Sequence, residues 1–284
     1  MSEADKKRRQ AAADARNAAG AGAQKRERTM RIVGALTILV VVIAIVGVAL
    51  VAKKGSSSDA SSSSATASPT ADTAAALPQG VLDSSAELAY GVPYGTAPAD
   101  APVLAIWEDF QCPACGAVEK ANGQGIADLA DAGKVQLVWR PTTFLDKNLG
   151  NDSSSRAVAA WGCAIDAGKA REYHDAIYAN QPEKEGDGYT DEQLLAFAGD
   201  AGITGADLDG FTACVKAGTY AGWMENTTSA FYSAGVQGTP YATLNGTEVP
   251  IQTLADAAAL EKLVADTAAG IAPSAAASAS PSAS

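Results

Sequence analysis

The chain has a single histidine and only four cysteines in 284 residues. One imidazole, His174, cannot build a histidine-rich metal centre, and a packed or solvated ring is the simpler reading of it. There is one C-x-x-C, Cys112 to Cys115, and no second one to complete the usual tetrahedral zinc set. Cations are scarce outside one end. The net charge is −11. Residues 1–31 hold nine Lys or Arg against four Asp or Glu, a local +5 that leaves −16 for the rest. An acidic body excludes a nucleic-acid groove, which needs clustered cations to replace phosphate counterions. Internal repeats are absent as well.

Bulky apolar side chains are also missing from three stretches. Residues 1–31 are Ala-rich and basic and read as a disordered cytoplasmic tail. Residues 53–81, rich in Ser, Ala and Thr, read as a flexible tether, and residues 272–284 as a similar disordered tail. Between the first two lies Ile32 to Ala52, an uncharged run. At about 1.5 Å rise per residue it spans a hydrocarbon core of roughly 30 Å. Arg26, Arg28 and Arg31 precede it and only Lys53 and Lys54 closely follow. The positive-inside bias then puts the N-terminus in the cytoplasm and the remainder outside. A cleaved signal peptide is the alternative. The run is long for one and no A-x-A site closes it, so an uncleaved single-pass anchor in the cell membrane is expected.

Residues 82–271 form one domain-sized stretch. Val103 to Trp107 reads as a buried strand, followed by a helix from the C-P-A-C segment that Gly123 and Gly125 interrupt. Val135 to Trp139 reads as a second strand, halted by Pro141. Strand, helix, strand suggests a βαβ unit. Residues 154–234 read as almost wholly helical, the body of a helical insertion over about 150–234. Val158, Trp161 and Ile165 mark one apolar face, and Leu208, Phe211 and Val215 another. Thr190 to Gln193 resembles a capping box. Tyr241 to Leu244 reads as a strand, Asn245-Gly246 as a hairpin turn, Thr247 to Ile251 as the return strand and Leu254 to Ala268 as a closing helix. Trp139, Trp161 and Trp223 read as core rather than as a peptide-binding surface.

The chemistry sits in Phe110-Gln-Cys112-Pro113-Ala114-Cys115, directly after a strand. A cysteine at a helix N-terminus meets free N–H groups that favour its anion, which makes it a nucleophile at neutral pH. Two intervening residues place the second sulfur one turn away, where it can resolve a mixed disulfide. Half a zinc site and a plain loop disulfide are the alternatives, and the strand–C-P-x-C–helix context favours redox chemistry. In an extracytoplasmic setting the four cysteines suggest one catalytic and one structural disulfide. Cys163 and Cys214 fall in separate helices of the helical stretch. They read as a structural bridge, with a second redox pair as the alternative.

Asp109 to Cys115 is similar to the active-site turn of DsbA-like proteins of the thioredoxin superfamily. Gly238-Thr239-Pro240-Tyr241 resembles their second signature, and Ala167 to Asp175 and Asn180 to Pro182 resemble their helical insertion. The resemblance covers roughly residues 100–268. It implies an α/β thioredoxin-like fold with an inserted helical subdomain. It also implies a nucleophile at Cys112, a resolving thiol at Cys115, and a cis-proline at Pro240. The backbone of Thr239 would pair with an extended substrate. On its own, Pro240 would read as an ordinary strand-initiating proline. No metal or organic cofactor is indicated. The implied partners are exported proteins with reduced cysteines and a membrane redox partner resembling vitamin K epoxide reductase. Two departures stand out. Ala114 replaces the histidine of the best-known oxidants, so Cys112 should be less acidic than theirs. Ile106 replaces the buried carboxylate often found six residues before the first cysteine. Glu108 or Asp109 would then serve as proton relay, unless both are solvated loop-edge acids. The expected activity is disulfide formation. A membrane-fed reductase or isomerase, or a non-enzymatic peptide-binding module, are the rivals.

Overall fold

Nearly continuous burial along Val103–Glu108 and Gln136–Pro141 marks the centre of a five-stranded sheet, covered on both faces, in this computed structural model, which describes residues 74–270. The strands are β1 (Val92–Tyr94), β2 (Val103–Glu108), β3 (Gln136–Pro141), β4 (Tyr241–Leu244) and β5 (Thr247–Val249), in the order β1-β3-β2-β4-β5. Only β2 and β3 run parallel; every other pair is antiparallel. Ile106 lies beside Trp139 on one side and Ala242 on the other, and all three are buried on the same face. On the opposite face Trp107 carries the Arg140 guanidinium 3.9 Å above its ring and Phe231 edge-on at 5.4 Å.

The parallel β2–β3 crossover is a long helix in three parts: α1 (Pro113–Val118), a π-helical turn (Glu119–Gly123) and α2 (Gln124–Asp131). The expected break at Gly123 and Gly125 is therefore a widening rather than an interruption. Gly123 is backed by a side chain: a Cβ there would come within 2.3 Å of Glu119 Oε2.

Between β3 and β4 the chain inserts six helices: α3 (Phe144–Leu149), α4 (Ser153–Asp166), α5 (Ala170–Ala179), α6 (Asp191–Asp200), α7 (Ala206–Ala217) and α8 (Ala221–Ser233). Helix α4 is the hub, burying Ala157, Val158, Ala160, Trp161, Ala164 and Ile165. Its small residues let the neighbouring helices approach, and Trp161 fills the centre, with Trp223 6.2 Å away. Trp139 and Trp223 are buried as well, so these three tryptophans are core, as the sequence suggests. The capping box at Thr190 and Gln193 starts α6 as the sequence predicts. Cys163 of α4 is bonded to Cys214 of α7. The chain closes with α9 (Ile251–Leu254) and α10 (Ala257–Ala268).

Four expectations need correction. The tether does not reach residue 81: Leu77 and Val81 pack on the core, and Gln79 N–H donates to Asp166. These apolar residues have a surface to cover, which a tether lacks. Strand β1 was not expected, because three residues including a proline carry little β signal; an edge strand tolerates that proline. The return strand ends at Val249. Pro250 precedes a helical turn, and Ile251 is an exposed member of that turn. Leu208 stands exposed at the start of α7, and the apolar face there narrows to Phe211 and Val215. The expected basic tail 1–31, the apolar run 32–52 and the tail 272–284 lie outside the described residues. Among the described residues, no helix is long and apolar enough to cross a membrane.

The Cys163–Cys214 bridge closes a loop of sequence separation 51. Restricting the unfolded chain by such a loop is worth about 4 kcal/mol. Replacing both cysteines by alanine should lower the free energy of unfolding by an amount approaching that, read from equilibrium urea denaturation, while Cys112 keeps its reactivity toward alkylating agents.

Candidate active site

Helix α1 starts where Pro113 occupies its first position, and Cys112 is its N-cap. Proline suits that position because its missing N–H would have had no partner anyway. The result is two sulfurs in unlike surroundings. Cys112 is 6% exposed, next to exposed Pro113 and Ala114, while Cys115 is completely buried. Both are free thiols, and the Cys112 thiol donates to the carbonyl oxygen of Thr239 at 3.3 Å. The Thr239–Pro240 peptide is cis. The structure thus brings Cys112, Cys115, Thr239 and Pro240 together from two ends of the chain.

The thiols also ionise differently. Cys112 is lowered from 9.0 to about 6. The Cys115 thiol is the largest cause, followed, against the cost of burial, by Thr239 and the backbone N–H groups of Cys115 and Ala114. No imidazole contributes, so the acidity survives the Ala114 departure. Burial first, and then the charge on Cys112, push Cys115 well above its ordinary value. One thiol is an anion at neutral pH and its partner holds its proton.

The turn before Cys112 is held from the helical insertion. Phe110 is buried among Trp161, Tyr178 and His174, with centroids 5.2 to 5.7 Å away. Its carbonyl accepts from Tyr189 Oη at 2.8 Å and Gln181 Nε2 at 2.9 Å. Gln181 also donates to the Cys112 carbonyl at 3.0 Å. Gln111 Nε2 reaches Asp146, Asn151 and Ser154.

The two acids of the turn are not solvated; Glu108 is 5% exposed and Asp109 fully buried. They also point to different jobs. Asp109 accepts from Gln111 N–H, Leu145 N–H and the Ser154 hydroxyl, which commits it to the α3–α4 corner. Burial raises its carboxyl to about 7. Glu108 shares the strand face of Ile106 and its Oε2 lies 3.0 Å from His174 Nε2. Its charge is one of the groups that raise Cys115. His174 is 1% exposed and stacks on Trp139 at 4.8 Å. Burial would lower its pKa, but Asp175 and Glu108 raise it to about 10.

Donor atoms of Glu108, Glu119 and His174 lie within 4.8 Å of one another. His174 Nε2 is already engaged with Glu108, which makes the group a buried acid–base pair with Glu119 beside it rather than an open set of ligands. Sequence reasoning missed Glu119, Gln181, Tyr189 and Ser154, and took His174 for a packed or solvated ring. Glu119 carried a usable signal: it sits four residues after buried Cys115, on the same helical face.

A family model described as thioredoxin matches residues 90–266. No curated protein matches the chain. Among solved structures, MdbA of Actinomyces oris, a thiol-disulfide oxidoreductase, is 26% identical with a TM-score of 0.56, over 66% of this chain and 91% of its own. Oxidised DsbA of Mycobacterium tuberculosis is 28% identical with a TM-score of 0.52, over 63% of this chain and 92% of its own. The reduced disulfide bond oxidoreductase DsbG of the same organism is 29% identical with a TM-score of 0.52, over 65% and 95%.

Asp109→Ala would leave the buried N–H groups of Gln111 and Leu145 without an acceptor. A loss of about 3 kcal/mol is expected, measured by denaturant unfolding of the reduced protein.

Proposed function

The chain belongs to the thioredoxin family and is a protein disulfide oxidoreductase of the DsbA type; we propose that it runs as an oxidase, forming disulfides in exported proteins through Cys112 and Cys115. The observation that carries this direction is the split between the thiols. A Cys112 lowered to about 6 is an anion at working pH, which stabilises the reduced enzyme and makes its disulfide a better oxidant.

The reaction balances between two disulfides. A substrate thiolate attacks Cys112 Sγ, the Cys112–Cys115 bond breaks, and Cys115 leaves with the electron pair and takes up a proton. A second substrate thiolate then attacks the substrate sulfur of the mixed disulfide and releases Cys112 as thiolate. The substrate is oxidised by two electrons and the enzyme disulfide reduced by two. Cys112 is the nucleophile of the reverse step and Cys115 the resolving thiol. Thr239 offers its backbone beside Cys112 to an extended substrate segment. Glu108 is the inner proton carrier, whereas Asp109 is bound up in holding the turn. A non-enzymatic peptide-binding module has no use for an acidified thiol.

The setting is extracytoplasmic, with the run Ile32 to Ala52 as anchor. The charge asymmetry around that run supports this, as does a Cys163–Cys214 bridge of the kind that persists in oxidising compartments. Reoxidation falls to a membrane partner resembling vitamin K epoxide reductase, as the family resemblance implies.

Iodoacetamide should modify the reduced protein at Cys112 alone, with a midpoint near pH 6 in a pH series. The folded-state value is depressed, so the thiolate's stabilisation of the reduced form is complete above the ordinary thiol range and is lost as pH falls through about 6. The potential of the pair should lie above that of thioredoxin, about −270 mV, toward the −120 mV or so of strong oxidants. A value at or below the thioredoxin figure would make the protein a reductase. Cys112→Ser should abolish oxidative refolding of a reduced test protein.

A further inference from the structure

Cys115 is sealed from water, yet each catalytic cycle must give its sulfur a proton and take one away. The acid that commonly does this in relatives is replaced by Ile106, itself fully buried. Glu108 acts on the thiol through its charge but is sealed too, and its Oε1 has no partner. A carrier enclosed on all sides must reload from somewhere.

Glu119 is the one member of the buried cluster that also reaches the outside. Its Oε1 is buried without a partner, close to Glu108 and His174, while the residue is partly exposed and lines a groove of about 620 Å³. The groove runs between the active-site helix and α5, past Pro113, Gly116, Asp175 and Gln181. Two backbone features shape this position. Glu119 opens the π-helical turn, a distortion often found at functional sites. Gly123 leaves room for its carboxylate, since a Cβ there would stand 2.3 Å from Oε2.

We propose that Glu119 is the outlet through which protons pass between the groove and Cys115, with Glu108 as inner carrier and His174 as the cation that holds Glu108 in place. This rests on the oxidoreductase reading above. When a substrate thiolate opens the Cys112–Cys115 bond, Glu119 gives its proton to the Glu108 carboxylate, Glu108 hands it to the departing Cys115 thiolate and is left as the carboxylate paired with His174, and Glu119 reloads from groove water. In reoxidation each transfer reverses. The charged groups around Glu119 are Glu108 from β2, His174 and Asp175 from α5, and, along the groove, Lys120 and Glu183. Burial, then the charge on Glu108, push the Glu119 carboxyl well above the usual carboxylate range, which favours its protonated form.

The test follows reduction of the oxidised full-length chain by dithiothreitol from pH 5 to 8. Glu119→Ala should slow opening of the disulfide on the order of a hundredfold at neutral pH, with a smaller loss in acid. Added formate, a small carboxylic acid that fits the groove, should restore the rate. Gly123→Ala, which pushes the carboxylate aside, should slow the same step. An unchanged rate in Glu119→Ala, or a slow rate that formate leaves untouched across the pH range, overturns the outlet. If Cys112 of the same variant still alkylates with its low midpoint, only the outlet has failed. If wild-type Cys112 alkylates like a free thiol, the oxidoreductase reading has failed and the outlet falls with it.

Discussion

Cys112 can hold a negative charge only while its turn keeps the sulfur against the Cys115 thiol and over the first N–H groups of the helix, and that turn is held by the helical insertion as much as by the sheet. Residues 109 to 112 form a short bridge between β2 and the active-site helix. On one side Asp109 and Gln111 are tied into the α3–α4 corner. On the other, Gln181 and Tyr189 grip the Phe110 carbonyl, and Gln181 also takes that of Cys112. Gly116 is shaped to this grip, since a Cβ there would lie 2.0 Å from Gln181 Oε1. The insertion thus fixes the geometry from which the acidity of the nucleophile follows.

Beneath the turn, two carboxylates and an imidazole stand in a core otherwise made of rings. Burying such charges is costly unless they satisfy one another. Here the imidazole pairs with Glu108, and Trp139, Trp161, Phe110 and Tyr178 enclose it. The polar cluster and the aromatic shell need each other: the rings exclude water and the charges keep a titratable group next to a buried sulfur.

Much of this was legible in the residues. The strand-to-helix run ending in Phe110-Gln-Cys-Pro-Ala-Cys, the Asn245-Gly246 turn and the Thr190 capping box are local signals, read from a few neighbouring side chains. The oxidoreductase chemistry followed from the spacing of two cysteines and from the family resemblance. Contacts between distant segments stayed out of reach. His174 lies 66 residues from Glu108 and Gln181 69 from Cys112, and no periodicity encodes such meetings. The sequence did point to two acids, but their side chains diverge at the end of β2, one toward the imidazole and one toward α3. Only the pleat of the placed strand separates them. The wound segment 77–81 was misread as tether because its few apolar residues are diluted among polar ones.

Strand β2 needs β4 as its neighbour, and Asn245 pairs with Val103 across 142 positions. Bringing such remote partners together is entropically slow, because a long connecting loop must be gathered first. The Cys163–Cys214 link lies wholly inside that loop and ties 51 residues of it into a smaller ring. A newly made chain that acquires this link early searches a reduced space for its last sheet pairing. The helical block then serves as a prefolded spacer that delivers the cis-proline segment to the finished half of the sheet.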